Sequence, residues 1–281
     1  MRDRVGPIVF ARILWLYFGK FGRLPNLRSP RTFNEKVTVN KLTWRSPLLP
    51  IFVDKVKAKQ FIAEHFGADL VTPNYFVGDR LPPRSQRDWP LPYVIKLNHS
   101  SGTNIFVRTE AERDWDRIEA RIEHLIPRPH GRHTGEWAYS QVPPKVLVEP
   151  FTGDAGVTPI EFKLNTFGGR VVYIGVTADR YGDIRMQCYD RDWAPFPMTF
   201  ADTPVLPPIP PPADLQRMID IAEAFGKRLP QCRIDFYEVD GRARFGEITI
   251  YSGAGMTPLS PPEYDRMLGD LIPDEPPADS W

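Results

Sequence analysis

The chain has 281 residues, 42% of them apolar and 25% charged, so it can bury a core of ordinary size and is not a disordered segment. Lys+Arg 36 against Asp+Glu 35 leaves a net charge of +1, which excludes a global field that recruits nucleic acid. The two cysteines, Cys188 and Cys232, form no CxxC and no cysteine/histidine cluster, which excludes the usual zinc spacings and points to a reducing, cytoplasmic setting.

The first segment, Ile8 to Phe18, is apolar and aromatic, with Arg2, Arg4, Arg12, Lys20 and Arg23 around and within it. It is too short to span a bilayer, which takes about 20 apolar residues, and no small-residue cleavage site follows. A helix docked on the domain is the expectation, and an amphipathic anchor at the inner face of a membrane is the alternative. Asp54 opens a helix that ends near Gly67. Thr109 with Glu112 reads as a capping box ahead of Trp115, Ile118, Ile122 and Leu125. Strand patterns cover Tyr93 to Leu97, Asn104 to Arg108, Lys145 to Pro150, Ile160 to Phe167, Arg170 to Thr177, Arg233 to Val239 and Ala243 to Ile250. Gly168-Gly169 and Asp240-Gly241 predict tight antiparallel hairpins, which argues against a doubly wound parallel sheet. The run LPPIPPP from Leu206 to Pro212 is extended loop, and Asp214 then caps a helix with apolar positions Leu215, Met218, Ile219, Ala222, Phe225 and Leu229.

Two segments carry chemistry. In VIKLNHSSGTNIFV, Val94 to Val107, a strand ends with Lys96 before a polar loop. Ser100, Ser101, Gly102 and Thr103 offer backbone N–H groups and hydroxyls to a polyphosphate, although a plain hairpin loop is the better account of the segment taken alone. His99, within that loop, is expected to bond loop backbone rather than act as a base. In RIDFYEVDGRARFGEITI, Arg233 to Ile250, Asp235 and Glu247 lie on neighbouring strands with Arg233 beside them, a set suited to Mg²⁺ and nucleotide phosphates. Register opposes this: a two-residue turn at Asp240-Gly241 pairs Asp235 with Gly246 and sends Glu247 to the other face unless a bulge intervenes.

The order of TFNEKV (Thr32 to Val37), VDKVKAKQFI (Val53 to Ile62), VIKLNHSSGTNI, GEWAY near Gly135, VLVEPF (Val146 to Phe151), EFKLNTFGG, RIDFYEVDG and FGEITIYSGAG resembles the ATP-grasp superfamily, specifically its TupA-like branch linked with teichuronopeptide and polysaccharide biosynthesis. The resemblance implies an α+β ATP-grasp fold in which two subdomains clasp ATP between antiparallel sheets. It implies that Lys55 and Lys96 contact ATP phosphates together with Ser100, Ser101 and Gly102, and that Glu149 and the Phe151-Thr152 backbone meet adenine. Glu161 is assigned to ribose or structure, Lys163 to phosphate or substrate carboxylate, and Arg233 to phosphoryl transfer. Asp235 and Glu247 are the implied Mg²⁺ ligands, with Thr249 where many members carry Asn. Arg180, Arg185 and Ser252 are implied at the acceptor substrate.

The implied activity is that of a carboxylate-amine ligase that uses ATP and Mg²⁺ to form an acyl phosphate and then an amide, with glutamate or a uronic-acid saccharide as the acid. Alternatives are a sugar or polysaccharide kinase and a non-catalytic nucleotide-binding partner in a polysaccharide assembly complex. The expected division is a helical extension over 1–50 in place of a full N-terminal domain, a small subdomain with its preceding helix over 51–145, and a large subdomain over 146–281. So short an extension leaves room for a second copy, as a homodimer, or a partner to complete the acceptor site.

Overall fold

The computed structural model describes residues 5–153, 159–179, 182–200 and 203–274. Two antiparallel sheets face each other. The smaller is built from β1 (Phe76–Gly78), β2 (Tyr93–Leu97), β3 (Ile105–Val107) and β4 (Val146–Pro150), in the order β1-β4-β2-β3. The larger is built from β5 (Glu161–Phe167), β6 (Arg170–Ala178), β7 (Arg185–Tyr189), β9 (Gln231–Val239) and β10 (Arg242–Thr249), in the order β10-β9-β5-β6-β7. β8 (Thr199–Phe200) pairs with β11 (Leu259–Ser260) apart from both. β4 is bonded into the small sheet along its whole length, so the passage between sheets falls between Pro150 and Glu161, not at residue 146.

Period-two alternation decides which face of each sheet is apolar. In the small sheet, Tyr93, Ile95, Leu97, Val107, Val146 and Val148 pack with Trp89 and with Ile118 and Ile122 of the helix Trp115–Leu125. Val94, Lys96 and Glu149 therefore point the other way. In the large sheet, Phe162, Leu164, Ile234 and Phe236 pack against Met218, Ala222 and Phe225 of the helix Leu215–Gly226. Glu161, Lys163, Arg233 and Asp235 alternate to the opposite face. The molecule is thus layered as helix, sheet, cleft, sheet, helix.

The helices are α1 (Pro7–Phe21), α2 (Phe33–Thr43), α3 (Leu49–Val53), α4 (Lys55–Phe66), α5 (Trp115–Leu125), α6 (Trp137–Ser140), α7 (Leu215–Gly226) and α8 (Glu263–Leu271). None is long and apolar enough to cross a membrane among the described residues. Asp54 caps α4 by accepting from the N–H of Val56 at 2.9 Å, and Gly67 ends it, as the sequence predicts. The cap of α5 differs: Asp114 accepts from Arg117 N–H at 3.1 Å, while Glu110–Glu112 forms a separate 3-10 turn. Glu112 accepts from Arg108 N–H at 2.7 Å, so the Thr109 capping box does not form. Both two-residue hairpins are present, with Phe167 opposite Arg170 and Val239 opposite Arg242. Asp240 at φ 52° and Gly241 at φ 69° give the second turn the left-handed residues such hairpins need.

The N-terminal helices are knit into the large subdomain. α2 carries a true capping box, with Thr32 Oγ1 accepting from Glu35 N–H at 3.3 Å and the Glu35 carboxylate accepting from Thr32 N–H at 3.2 Å. Asn34 donates to Asp265 of α8 at 2.8 Å and to the Thr257 carbonyl at 2.9 Å, and accepts from Thr257 N–H at 2.9 Å. α8 meets the start of α2 so closely that a Cβ on Gly269 would sit 2.6 Å from the Thr32 carbonyl carbon and 2.7 Å from Phe33 N. Gly269→Ala is therefore expected to lower stability by about 2 kcal/mol, read as a lower urea midpoint with an unchanged m-value.

Candidate functional site

Lys163 on β5 pairs with Asp235 on β9, and Asp235 pairs with Glu247 on β10, so the three stand in one row across the cleft face of the large sheet. The bulge that the sequence required is there. Register runs regularly from Arg242 to Phe245, skips one residue, and resumes with Glu247 opposite Asp235. The skipped residue is Gly246, where a Cβ would stand 3.0 Å from both the Asp235 carbonyl oxygen and the Tyr237 ring. Thr249 follows opposite Arg233, on the same face as Glu247.

Arg233 binds this pair directly. Its Nε donates to Asp235 Oδ1 at 2.6 Å and its Nη2 to Asp235 Oδ2 at 2.7 Å and Glu247 Oε1 at 3.2 Å. Burial opposes the guanidinium charge, but Asp235 more than offsets it and the Arg233 pKa is raised. Asp235, only 2% exposed, is pushed up by burial against the pull of Arg233 and Lys163. The two-point bond from Arg233 is that of a guanidinium to a carboxylate, and the rise at Asp235 expresses the cost of burying that charge. Lys163 instead bonds Glu161 and Thr177 Oγ1, the latter at 3.2 Å, and Tyr237 Oη reaches Glu161 at 3.4 Å.

The opposing wall is cationic. Lys96 on β2 and Lys59 on α4 both form ion pairs with the Glu149 carboxylate on β4. Lys59 also donates to the Thr72 carbonyl at 3.0 Å and Asn74 Oδ1 at 3.1 Å. Burial raises the Glu149 pKa, but Lys96 and Lys59 outweigh it and hold it at about 2. Burial pushes Lys59 down by more than Glu149 restores. Lys55 opens α4 and donates to the Ser100 carbonyl; burial lowers its pKa, with Glu247 pulling back. Lys59 is absent from the sequence-based set. Its spacing of one helical turn from Lys55 puts both on one face of α4, and that was the available signal.

The loop after β2 is held by Asn98, which donates to Asp54 Oδ1 and the Pro143 carbonyl, both at 3.0 Å, and accepts from Lys145 N–H at 2.7 Å. This ties the polar loop, the α4 cap and the start of β4 together. His99 Nε2 meets the Ile126 carbonyl at 3.0 Å, in accord with the backbone role expected of it, and burial lowers its pKa. Ser100 is 5% exposed and its hydroxyl meets Thr103 Oγ1 at 2.5 Å, so its side chain serves the loop's interior. Ser101 and Gly102 line the cleft.

One end of the cleft is lined by Val94, Phe106, Phe151, Thr152, Glu161 and Tyr237. It continues to Lys55, Lys59, Lys96, Asp235 and Glu247. An aromatic end and an ionic end thus share one groove between the sheets. Phe151 N–H donates to the Pro92 carbonyl at 3.0 Å, which fixes this stretch of backbone to the sheet edge beside the groove. Phe106, edge-on to Phe151 at 5.7 Å, was not in the sequence-based set either.

Two of the three expected substrate residues, Arg185 and Ser252, are not brought here. Arg180 lies outside the described residues. Arg185 is exposed at the start of the edge strand β7, opposite Ala178; since Met186 opposite Thr177 shares the face of Glu161, alternation turns Arg185 away. Ser252 is 7% exposed, 3.5 Å from Gln231 Oε1, and is absent from the cleft lining. The chain turns there through left-handed Gly253 and Ala254, and Lys41 of α2 donates to the Ala254 carbonyl at 2.5 Å, which pins the segment against α2.

Among the described residues no group of three or more histidine, cysteine or acidic side chains forms a metal cage. Asp235 and Glu247, adjacent and hard, fit Mg²⁺ of the kind that completes its shell with phosphate oxygens and water. The burial cost on Asp235 is one that a further cation offsets.

The family model described as TupA-like ATPgrasp matches residues 35–273. Among solved structures, D-alanine–D-alanine ligase from Bacillus anthracis complexed with ATP is 16% identical, with a TM-score of 0.45 over 81% of this chain and 67% of that one. The ATP-grasp ligase PsnB with its minimal precursor is 11% identical, TM-score 0.42, over 80% of this chain and 62% of that one. N5-carboxyaminoimidazole ribonucleotide synthetase from Thermus thermophilus is 16% identical, TM-score 0.38, over 71% and 45%. No curated protein matches.

Removing the counter-charge of the lysine wall tests its electrostatics. Glu149→Gln leaves the buried Lys59 facing the partly buried Lys96 and is expected to cost about 3 kcal/mol of stability in urea unfolding at neutral pH. Because the Glu149 pKa is lowered on folding, its contribution is complete above its unfolded value near 4.5 and disappears as pH falls toward about 2. The difference in midpoint between wild type and Glu149→Gln is thus expected to shrink across that acid range.

Proposed function

Because the chain belongs to the TupA-like ATP-grasp family, we propose that it is an ATP-dependent carboxylate-amine ligase acting in cell-surface polysaccharide or teichuronopeptide-type biosynthesis. The observation that carries this reading is the bulge at Gly246, which puts Asp235 and Glu247 side by side beneath a wall of three lysines. Such an arrangement matches the needs of phosphoryl transfer, where catalysis is mainly positioning and charge neutralisation.

In this reading ATP lies along the groove, its adenine at the aromatic end by Phe106 and Phe151 and its phosphates among Lys55, Lys59 and Lys96. Glu161 and Tyr237, between the two ends, serve the ribose. Asp235 and Glu247 would hold Mg²⁺, with Thr249 available as a further oxygen ligand, and the ion would supply neutralisation of phosphate charge. Arg233, fixed by its two bonds to Asp235, stabilises charge on the transferring phosphoryl group. Lys163 orients the substrate carboxylate. That carboxylate attacks the γ-phosphorus, the bond from phosphorus to the bridging β-γ oxygen breaks, and ADP leaves with its electron pair. An amine then attacks the acyl carbon, loses a proton and expels phosphate, which yields the amide. The acid is assigned to the glutamate or uronic-acid class on the family's association alone.

With ATP, Mg²⁺ and hydroxylamine in place of the amine, acidic amino acids and uronic sugars are expected to yield a hydroxamate from the trapped acyl phosphate. A stable phosphosugar without hydroxamate would identify a kinase, and nucleotide binding with no ADP release would identify a binding partner. Asp235→Asn is expected to lower ADP release by roughly a hundredfold while ATP still binds. Unchanged turnover in that variant would reject the metal assignment.

A further inference from the structure

Helix α1 is apolar on two opposite sides. Ile13 and Tyr17 are fully buried against the body of the protein, whereas Ile8 is 83%, Trp15 72% and Phe18 52% exposed. At 100° per residue Ile8, Trp15 and Phe18 fall with Ala11 on one stripe, turned away from Ile13 and Tyr17. Leu24, just past the helix end, is 60% exposed as well. A helix apolar all round is covered on both sides in its working state.

Charge indicates what covers it. Residues 1–31 carry seven basic side chains, Arg2, Arg4, Arg12, Lys20, Arg23, Arg28 and Arg31, and one acidic, Asp3, a local charge of +6 in a chain whose total is +1. Arg12, Lys20 and Arg28 are exposed, and Arg23, although ion-paired with Glu35, leaves 47% of its side chain open. A symmetric pairing of two α1 faces would set these like charges against each other. An anionic surface with an apolar layer beneath it satisfies both features, and Trp15 is the residue type that sits at such a boundary.

We propose that α1 binds flat on an anionic lipid bilayer, with Ile8, Trp15 and Phe18 in the acyl boundary and Arg12, which flanks that stripe, at the headgroups with Arg28 beyond the helix end. At 15 residues the helix is about 22 Å long, enough to lie in the interface and too short to span. This is independent of the nucleotide site and does not rest on the proposed reaction.

The test is co-sedimentation of the full chain with vesicles of phosphatidylcholine mixed with phosphatidylglycerol, against pure phosphatidylcholine. Binding is expected only to the mixed vesicles and is expected to weaken as salt is raised. Trp15→Ser with Phe18→Ser is expected to lower binding at least roughly tenfold, and Arg12→Ser with Arg28→Ser about tenfold or more, with thermal unfolding unchanged. Quenching of wild-type tryptophan fluorescence by brominated lipid, lost in Trp15→Phe, supports the same geometry without disturbing the charge. Absence of binding to anionic vesicles, or binding that both double variants retain, overturns the proposal. A dimer in sedimentation velocity that Trp15→Ser with Phe18→Ser dissolves, in a chain that ignores vesicles, overturns it in favour of a second copy.

Discussion

The site depends on a single departure from strand periodicity. Side chains alternate along a strand, so two carboxylates on a hairpin closed by a two-residue turn share a face only if their positions match in register. Asp235 and Glu247 do not match; Gly246 is one residue too many, and bulging it out brings them together. A side chain at that point would press on the Asp235 carbonyl and the Tyr237 ring, so glycine is what lets the strands stay this close. Arg233 and Lys163 then fall into place by ordinary alternation and cross-strand pairing.

A second constraint is the balance of buried charge. The cleft collects Lys55, Lys59 and Lys96 on one wall and Asp235, Glu247 and Arg233 on the other. Isolated, such charges are costly to bury; paired, they hold a defined geometry. Glu149 balances the lysine wall and Arg233 balances the acidic one. Each wall therefore stands organised by its own opposite charge, and polyphosphate with a divalent ion would meet groups already aimed into the groove.

The helical extension contributes through packing. Asn34 and Asp265 link α2 to α8, Asn34 also holds Thr257, and Lys41 holds the turn at Ala254. The segment that leaves β10 is thereby fixed beside α2, which is why Ser252 is turned inward. Lys41 itself is wholly buried, and burial moves its pKa to about 8 against the pull of Glu136.

Local chemistry made much of this legible in the amino-acid order. Asp54 and Gly67 bound their helix, the two glycine-bearing turns form their hairpins, and the apolar alternation marks the strands. Those features follow from capping, turn conformation and period-two patterning, all of which act within a few residues. What local rules could not reach was decided by the fold. Asp114 displaced Thr109 as a cap, Lys59 joined Glu149 from 90 residues away, and Phe151 gave its N–H to Pro92. The bulge lies between these two kinds of feature. Sequence showed that an offset was required, and only the packing of β10 against β9 determined that Gly246 would supply it, because register is settled by which faces the sheets can bury.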